Sequence, residues 1–164
     1  MEYVELHCHS CYSLREGAST PRELIVRALQ LGYRALALTD HDGVYGSMAF
    51  SKDANDAGFK TISGAEITLA NGHHLTLLVK DHAGWSNLCQ LLTHAYTGHG
   101  TKDEPRVELD ERIHAAVVAG HIIALKLDIK VVGAEVVAIH DGGFECIAFL
   151  ASLHQAGHLA LLAA

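Results

Sequence analysis

The sequence predicts an α/β fold, because segments with the pattern of strands alternate with segments with the pattern of helices. Three apolar strand-like runs, 2–7, 34–39 and 60–69, are separated by two helical patterns. This order implies a parallel sheet with right-handed crossovers. The 164 residues, 49% of them hydrophobic, suffice for one domain with a core of its own.

The clearest helix signal begins at Thr20. Thr20 is a typical N-cap, Pro21 suits the first helical position, and Glu23 completes a capping box. Gly32 is the expected stop, so the predicted helix covers about residues 20–31. A second helix is predicted over 44–57.

The remaining elements are predicted from local patterns. Asn71-Gly72 followed by the apolar run 74–79 predicts a hairpin with the third strand. Helices are expected over 83–96, 109–119 and 144–155, and strands over 121–127 and 130–139. The first of these helices should bury a stripe formed by Trp85, Leu88, Leu91 and Leu92.

Charge and composition limit the possible functions. The 12 basic and 19 acidic residues give a net charge of -7, which disfavours autonomous nucleic-acid binding. No stretch has the pattern of a signal peptide or a membrane span. The four scattered cysteines fit a reducing environment, so we expect a cytoplasmic protein.

Histidines and carboxylates recur where the predicted strands end. In a parallel sheet these ends meet on one face, where ligands bind. Each site alone could be an ordinary turn or an edge charge, but three in succession favour a metal site. Imidazole and carboxylate ligands suit Zn, Mn or Fe, and a glutamate could bridge two cations. The residues concerned are His7, His9, Glu16, Asp40, His41 and Glu66.

These motifs resemble the PHP (polymerase and histidinol phosphatase) domain family. The family motifs match His7-Cys8-His9-Ser10, Thr39-Asp40-His41 and Gly64-Ala65-Glu66. The closer likeness, over about residues 3–97, is to the PHP domain that opens bacterial C-family DNA polymerases, especially the error-prone ones. Further matching stretches are Tyr12-Ser13-Leu14, Leu31-Gly32-Tyr33 and Leu75 to Asn87.

The resemblance implies a distorted (β/α)7 barrel, incomplete in this chain, with up to three divalent metals. It implies that His7 and His9 bind one metal, that Glu66 bridges to a second, and that Asp40 is auxiliary. His74 would bind the second metal, and Glu16 and His41 would bind a third.

One assignment is open on the residues alone. A strict two-residue Asn-Gly hairpin would place His73, not His74, on the face of Glu66, whereas a longer or bulged loop would restore His74. The resemblance selects His74, since it directly precedes the Leu75-Thr76-Leu77-Leu78 motif.

The chain also departs from the family pattern. Family members close the metal cluster with a later Cys or His and an Asp-x-His pair, and the sequence contains no Asp-x-His. Substitutes without motif support are His140, Asp141, Cys146 and His154. We therefore divide the chain into residues 1–97, which carry the PHP motifs, and 98–164, a divergent α/β tail that either completes the barrel or is not native to the gene.

By resemblance, the chain is the metal-binding PHP domain of a polymerase, with phosphoesterase chemistry such as 3'-5' exonuclease or pyrophosphatase activity. No side chain is singled out as catalytic, because the cations would activate the attacking water. Alternatives are a silent, metal-stabilised interaction module and a stand-alone histidinol-phosphatase-like enzyme. Expected partners are a polymerase core or replication and repair proteins, with DNA reached only through the parent polymerase and no membrane contact.

Overall fold

The computed structural model describes residues 4–98, 104–108, 113 and 119–127. In chain order they form α1 (Pro21–Gln30), β1 (Ala35–Leu38), α2 (Ser47–Asp56), β2 (Lys60–Thr68), β3 (His74–Val79), α3 (His82–Thr97) and β4 (Ile122–Leu127). Within the described ranges the strands make one sheet of order β1-β2-β3-β4. β1 and β2 are parallel, while β2, β3 and β4 pair antiparallel in turn.

Helix α1 forms as its capping signals predict. The Thr20 side chain accepts a hydrogen bond from the Glu23 amide, and the Glu23 carboxylate accepts one from the Thr20 amide at 2.7 Å. The helix ends before Gly32, whose φ of +72° is in the left-handed region that favours glycine. Predicted helices and strands at α2, β1, β2, β3, α3 and β4 are likewise confirmed, with shifts of a few residues at their ends.

The prediction of a strand over residues 2–7 is wrong for the described part of that range. Among its described residues, 4–7, the structure has only an isolated parallel bridge between Glu5 and Leu36. The segment nevertheless runs beside β1, because the Ala37 amide donates to the Glu5 carbonyl and the Thr39 amide to the Cys8 carbonyl, each at 2.9 Å. This edge contact carries the first histidines to the end of β1.

Two apolar clusters stabilise the sheet. One packs α1 and α2 against β1, around Ile25, Leu36, Leu38 and Phe50. The other packs α3 against β2, β3 and β4, and it contains Leu88 and Leu92 of the predicted α3 stripe as buried members. Leu91 is only partly buried against that cluster, and Trp85 is also only partly buried. The clusters leave the carboxyl end of β1 and the adjoining part of β2 available for polar groups.

The predictions for 109–119, 130–139 and 144–155 lie almost entirely outside the described residues, as do the substitute ligands His140, Asp141, Cys146 and His154. No helix in the described part of the chain is long and apolar enough to cross a membrane.

Candidate metal centre

The parallel pairing of β1 and β2 continues past β1 and places His41 beside Glu66. The Glu66 amide donates to the Asp40 carbonyl at 3.1 Å, and the Asp42 amide donates to the Glu66 carbonyl at 2.7 Å. These two bonds flank an isolated parallel bridge between His41 and Glu66. The pairing therefore sets the two side chains on the same face of the sheet.

Asp40 is buried and anchors the loop that follows the first histidines. Its carboxylate accepts hydrogen bonds from the Ser10 amide at 2.7 Å, the Ser10 hydroxyl at 2.9 Å and the Ser13 hydroxyl at 2.8 Å. The Ser13 hydroxyl in turn accepts from the His41 amide at 3.0 Å. Asp40 thus holds the loop that carries His9 and Glu16 against the end of β1, and its auxiliary role at a metal site stays a prediction.

A first group of possible ligands consists of His7, His9 and Glu66. His7 Nε2 lies 2.7 Å from Glu66 Oε2, and His9 Nε2 lies 3.7 Å from Glu66 Oε1. The rings of His7 and His9 meet edge to face, with centroids 5.0 Å apart.

A second group consists of His41, Glu66 and His74. Nδ1 of His41 lies 3.0 Å from Glu66 Oε1, and Nδ1 of His74 lies 3.3 Å from the same oxygen. Glu66 is therefore common to both groups and turns each of its oxygens towards an imidazole.

The β2-β3 hairpin resolves the choice between His73 and His74. Thr68 pairs with His74 and the Leu69 amide donates to the His73 carbonyl, which leaves a three-residue loop of Ala70, Asn71 and Gly72. Side chains alternate along a strand, so His74 shares the face of Thr68 and Glu66. The longer loop thus gives the facing that the family resemblance requires.

Glu16 lies beside these groups but belongs to neither of them. Its Oε2 is 3.2 Å from His9 Nδ1 and 3.5 Å from His41 Nδ1. All six residues that the resemblance implies as ligands are thus linked by contacts below 4 Å. His41 Nδ1 lies closer to Glu66, at 3.0 Å, than to Glu16, at 3.5 Å, and His41 forms a ligand group with Glu66 and His74.

Asp42 and Thr68 also belong to the site, and the sequence did not single them out. The Asp42 carboxylate accepts from the Thr68 amide at 2.7 Å and from the Thr68 hydroxyl at 2.6 Å, and it lies 3.1 Å from His41 Nε2. Asp42 has a φ of +47°, a conformation that aspartate tolerates better than most residues. The only sequence signal was the Asp-His-Asp-Gly stretch, which also reads as a turn.

The close packing of imidazoles and carboxylates shifts their pKa values. Hydrogen bonds to Asp42 and to Glu66 raise the pKa of His41 to about 10. Burial opposes ionisation of Glu66, but hydrogen bonds from His41 and His7 outweigh it and hold the pKa of Glu66 well below its usual value. Burial raises the pKa of the Cys8 thiol to about 11, so this cysteine between the two histidines stays protonated at neutral pH.

The geometry fits a divalent cation. Two ligand atoms each about 2.1 Å from one cation stand roughly 3 to 4 Å apart, and in each group the candidate atoms all lie within 4.8 Å of one another. His9 Nε2 is buried and has no hydrogen-bond partner among the described residues. A buried imidazole nitrogen without a hydrogen bond is costly, and a cation beside Glu66 would satisfy it.

Four imidazoles surround one carboxylate at the edge of this sheet, and such ligands suit divalent cations. The chain therefore has the features of a metal-binding α/β protein. The family described as the PHP domain matches residues 5–160, and the chain belongs to this family. The resemblance drawn from the sequence motifs and the PHP-type α/β fold are confirmed, with the described residues forming a four-stranded part of its sheet.

The chain is similar to error-prone DNA polymerases. It is 40% identical to that of Mycobacterium bovis over 131 residues, which cover 74% of this chain and 12% of the polymerase. The Cutibacterium acnes enzyme is 42% identical over 132 residues, covering 73% of this chain and 11% of the polymerase. The chain thus spans about an eighth of the length of these relatives.

A solved structure of a Bifidobacterium adolescentis protein inferred to be a metal-dependent phosphoesterase is 24% identical, with a TM-score of 0.49. The match covers 58% of this chain and 34% of that protein.

Proposed function

We propose that this chain is the metal-binding PHP region of a bacterial C-family DNA polymerase, and that it hydrolyses phosphoesters with the divalent cations that its histidines and carboxylates would hold. The observation that carries the proposal is the position of Glu66, whose carboxylate is shared by both groups of imidazoles: Oε2 lies 2.7 Å from His7, and Oε1 lies 3.0 Å from His41, 3.3 Å from His74 and 3.7 Å from His9. A carboxylate shared in this way is typical of sites that hold neighbouring cations for phosphate chemistry.

The proposed ligands are the six residues expected from the sequence, but His41 is assigned to the second cation and not to the third. His7, His9 and Glu66 would hold one cation, and Glu66, His74 and His41 would hold a second. Glu16, within 3.5 Å of His41 Nδ1, contributes to a third position. Zn, Mn and Fe all suit mixed imidazole and carboxylate ligands.

When bound, divalent cations lower the pKa of water and neutralise charge on phosphate oxygens. The residues of the chain supply the geometry. Asp40 holds the loop that carries His9, the β1-β2 pairing holds His41 beside Glu66, and the three-residue hairpin loop turns His74 inward. Ligands fixed on strands and anchored loops keep their positions without reorganisation, which favours catalysis.

We propose a nucleotide 3' end or pyrophosphate as the substrate. The similarity to error-prone DNA polymerases favours a substrate that polymerisation produces or consumes. With a net charge of -7 the chain attracts nucleic acid poorly, so the polymerase core, its proposed partner in the cytoplasm, would deliver DNA to this site.

The test is hydrolysis by the purified chain with added Mn or Zn. Substrates are p-nitrophenyl phosphate esters, oligonucleotides with a free 3' end, and pyrophosphate. We expect metal-dependent turnover that Glu66→Gln and His41→Ala abolish. The exposed residues Glu108 and His82 provide matched control variants, Glu108→Gln and His82→Ala, which should keep the parent rate.

A second candidate is a metal-stabilised structural module that supports the polymerase core. It is favoured by the absence of the family's closing Asp-x-His pair from the sequence, since a cluster short of a ligand misplaces the attacking water. For this reason we expect slow turnover. Metal bound at Glu66 with no turnover on any of the substrates would overturn the hydrolytic proposal and leave the structural module.

A further inference from the structure

His41 presents its two ring nitrogens to two different surroundings. Nδ1 points into the second ligand group, 3.0 Å from Glu66 Oε1. Nε2 points away from that group, to Asp42 Oδ2 at 3.1 Å and to the Thr68 hydroxyl oxygen at 3.2 Å. Which nitrogen carries the permanent proton therefore decides whether His41 can bind a metal there.

The donors and acceptors around Nε2 can be paired in only one way. The single hydroxyl proton of Thr68 is donated to Asp42 Oδ2, only 2.6 Å away, so the Thr68 oxygen can only accept from His41. The ionised Asp42 carboxylate carries no proton and can also only accept. Nε2 consequently faces two acceptors and must bear hydrogen. Nδ1 faces the Glu66 carboxylate and also bears hydrogen when no cation is bound, so the Nδ1 hydrogen is the one that a cation would replace.

The acceptors are themselves held in place. The Thr68 amide donates a hydrogen bond to Asp42 Oδ1 at 2.7 Å. The backbone of Asp42 is fixed by two further hydrogen bonds: its amide donates to the Glu66 carbonyl, and its carbonyl accepts from the Tyr96 hydroxyl at 2.8 Å. Asp42 and Thr68 are 6% and 4% exposed, so water competes little for these bonds.

We propose that Asp42, together with the Thr68 hydroxyl, is a positioning residue that fixes His41 as its Nε2–H tautomer and so makes Nδ1 the metal-binding nitrogen of the second group. This inference rests on the proposed function, because it assigns a role within the same metal centre. Partners of this kind on the far nitrogen of a metal-binding histidine typically contribute about 10- to 100-fold to metal affinity.

The test uses 15N-labelled protein and zinc as the probe. Two-bond 1H–15N correlation spectra report the protonation of each ring nitrogen, and a zinc titration reports the affinity of each group. In the parent we expect His41 Nε2 to carry hydrogen both with and without zinc. We expect the 15N signal of Nδ1 to change on zinc binding, because zinc takes the place of hydrogen there. In Asp42→Ala we expect mixed tautomers and a 10- to 100-fold weaker second zinc site, with the first site unchanged.

Two further variants separate positioning from folding, because Asp42→Ala also removes the acceptor of the Thr68 amide. Thr68→Val removes only the hydroxyl and should weaken the second zinc site, whereas Thr68→Ser should restore it. Asp56→Ala, on the exposed face of α2, is the matched control and should leave both sites unchanged.

A parent in which His41 binds zinc through Nε2, or in which Asp42→Ala alters neither the tautomer nor the second affinity, would overturn the inference. Zinc bound through Nδ1 without hydrolysis of any ester would overturn only the hydrolytic function. Absence of zinc binding by the parent would overturn both.

Discussion

Replacing Asp40 by asparagine should destabilise the protein and loosen its first metal-binding loop. The Asp40 side chain is 1% exposed and its carboxylate accepts from the Ser10 amide, the Ser10 hydroxyl and the Ser13 hydroxyl. An amide of the same shape offers one acceptor oxygen in place of two, and its NH2 group in the position of Oδ2 would face the Ser10 hydroxyl, which donates to that oxygen at 2.9 Å.

The expected magnitude follows from these bonds. A hydrogen bond to a charged group contributes about 1.5 to 3 kcal/mol, and a buried donor without a partner costs about 1 to 3 kcal/mol. Since the asparagine oxygen and a rotated Ser10 hydroxyl recover part of this, we expect the free energy of unfolding to fall by about 2 to 4 kcal/mol.

Urea unfolding of the metal-free protein, followed by circular dichroism, measures this change as a lower midpoint at an unchanged slope. The matched control is Asp56→Asn, because Asp56 is exposed and its carboxylate contacts Lys52 on the same helix. Its midpoint should equal that of the parent. Equal midpoints for Asp40→Asn and the parent would refute the anchoring role of Asp40.

Three further predictions concern the core, the site and the metal. Leu88→Ala should lower the free energy of unfolding by about 2 to 5 kcal/mol in urea melts, because Leu88 is fully buried between α3 and the sheet, whereas Leu14→Ala at an 81% exposed position should not. In metal-free protein, bonds to Asp42 and Glu66 raise the pKa of His41 from 6.5 to about 10, so its stabilising contribution is complete below pH 6.5 and is lost as the pH rises towards 10. Melting temperatures should therefore decline over that interval in the parent and less in His41→Gln; equal slopes would contradict this. Chelation should lower the melting temperature of metal-loaded protein, since a ligand at 100 times its Kd adds about 2.7 kcal/mol to the free energy of unfolding. An unchanged melting temperature would argue against metal binding that is coupled to folding.

Local signals explain what the sequence predicted well. The bounds of α1 could be predicted because both of its ends depend on local residues. The helix start is fixed within one turn by Thr20, Pro21 and Glu23, and the end is fixed by the left-handed conformation of Gly32. The meeting of His41 and Glu66 was readable because parallel strands end on the same face.

Contacts between distant residues explain what the sequence left open or missed. Asp42 and Thr68 are 26 positions apart, and their hydrogen bonds depend on the register of the extended β1-β2 pairing. The facing of His74 depends on a three-residue loop in which Gly72 has a φ of +81°, and Asn-Gly alone is equally compatible with a two-residue turn.

Metal content measured by elemental analysis tests the central claim most directly. Protein purified under metal-replete conditions should carry Zn, Mn or Fe. A His7→Ala, His9→Ala double variant should carry less, because it removes two of the three ligands that face the first position. A matched variant at the exposed His82 should carry as much as the parent. A parent protein without any of these metals, or a double variant with undiminished content, would contradict the account of Glu66 and its histidines as a metal centre.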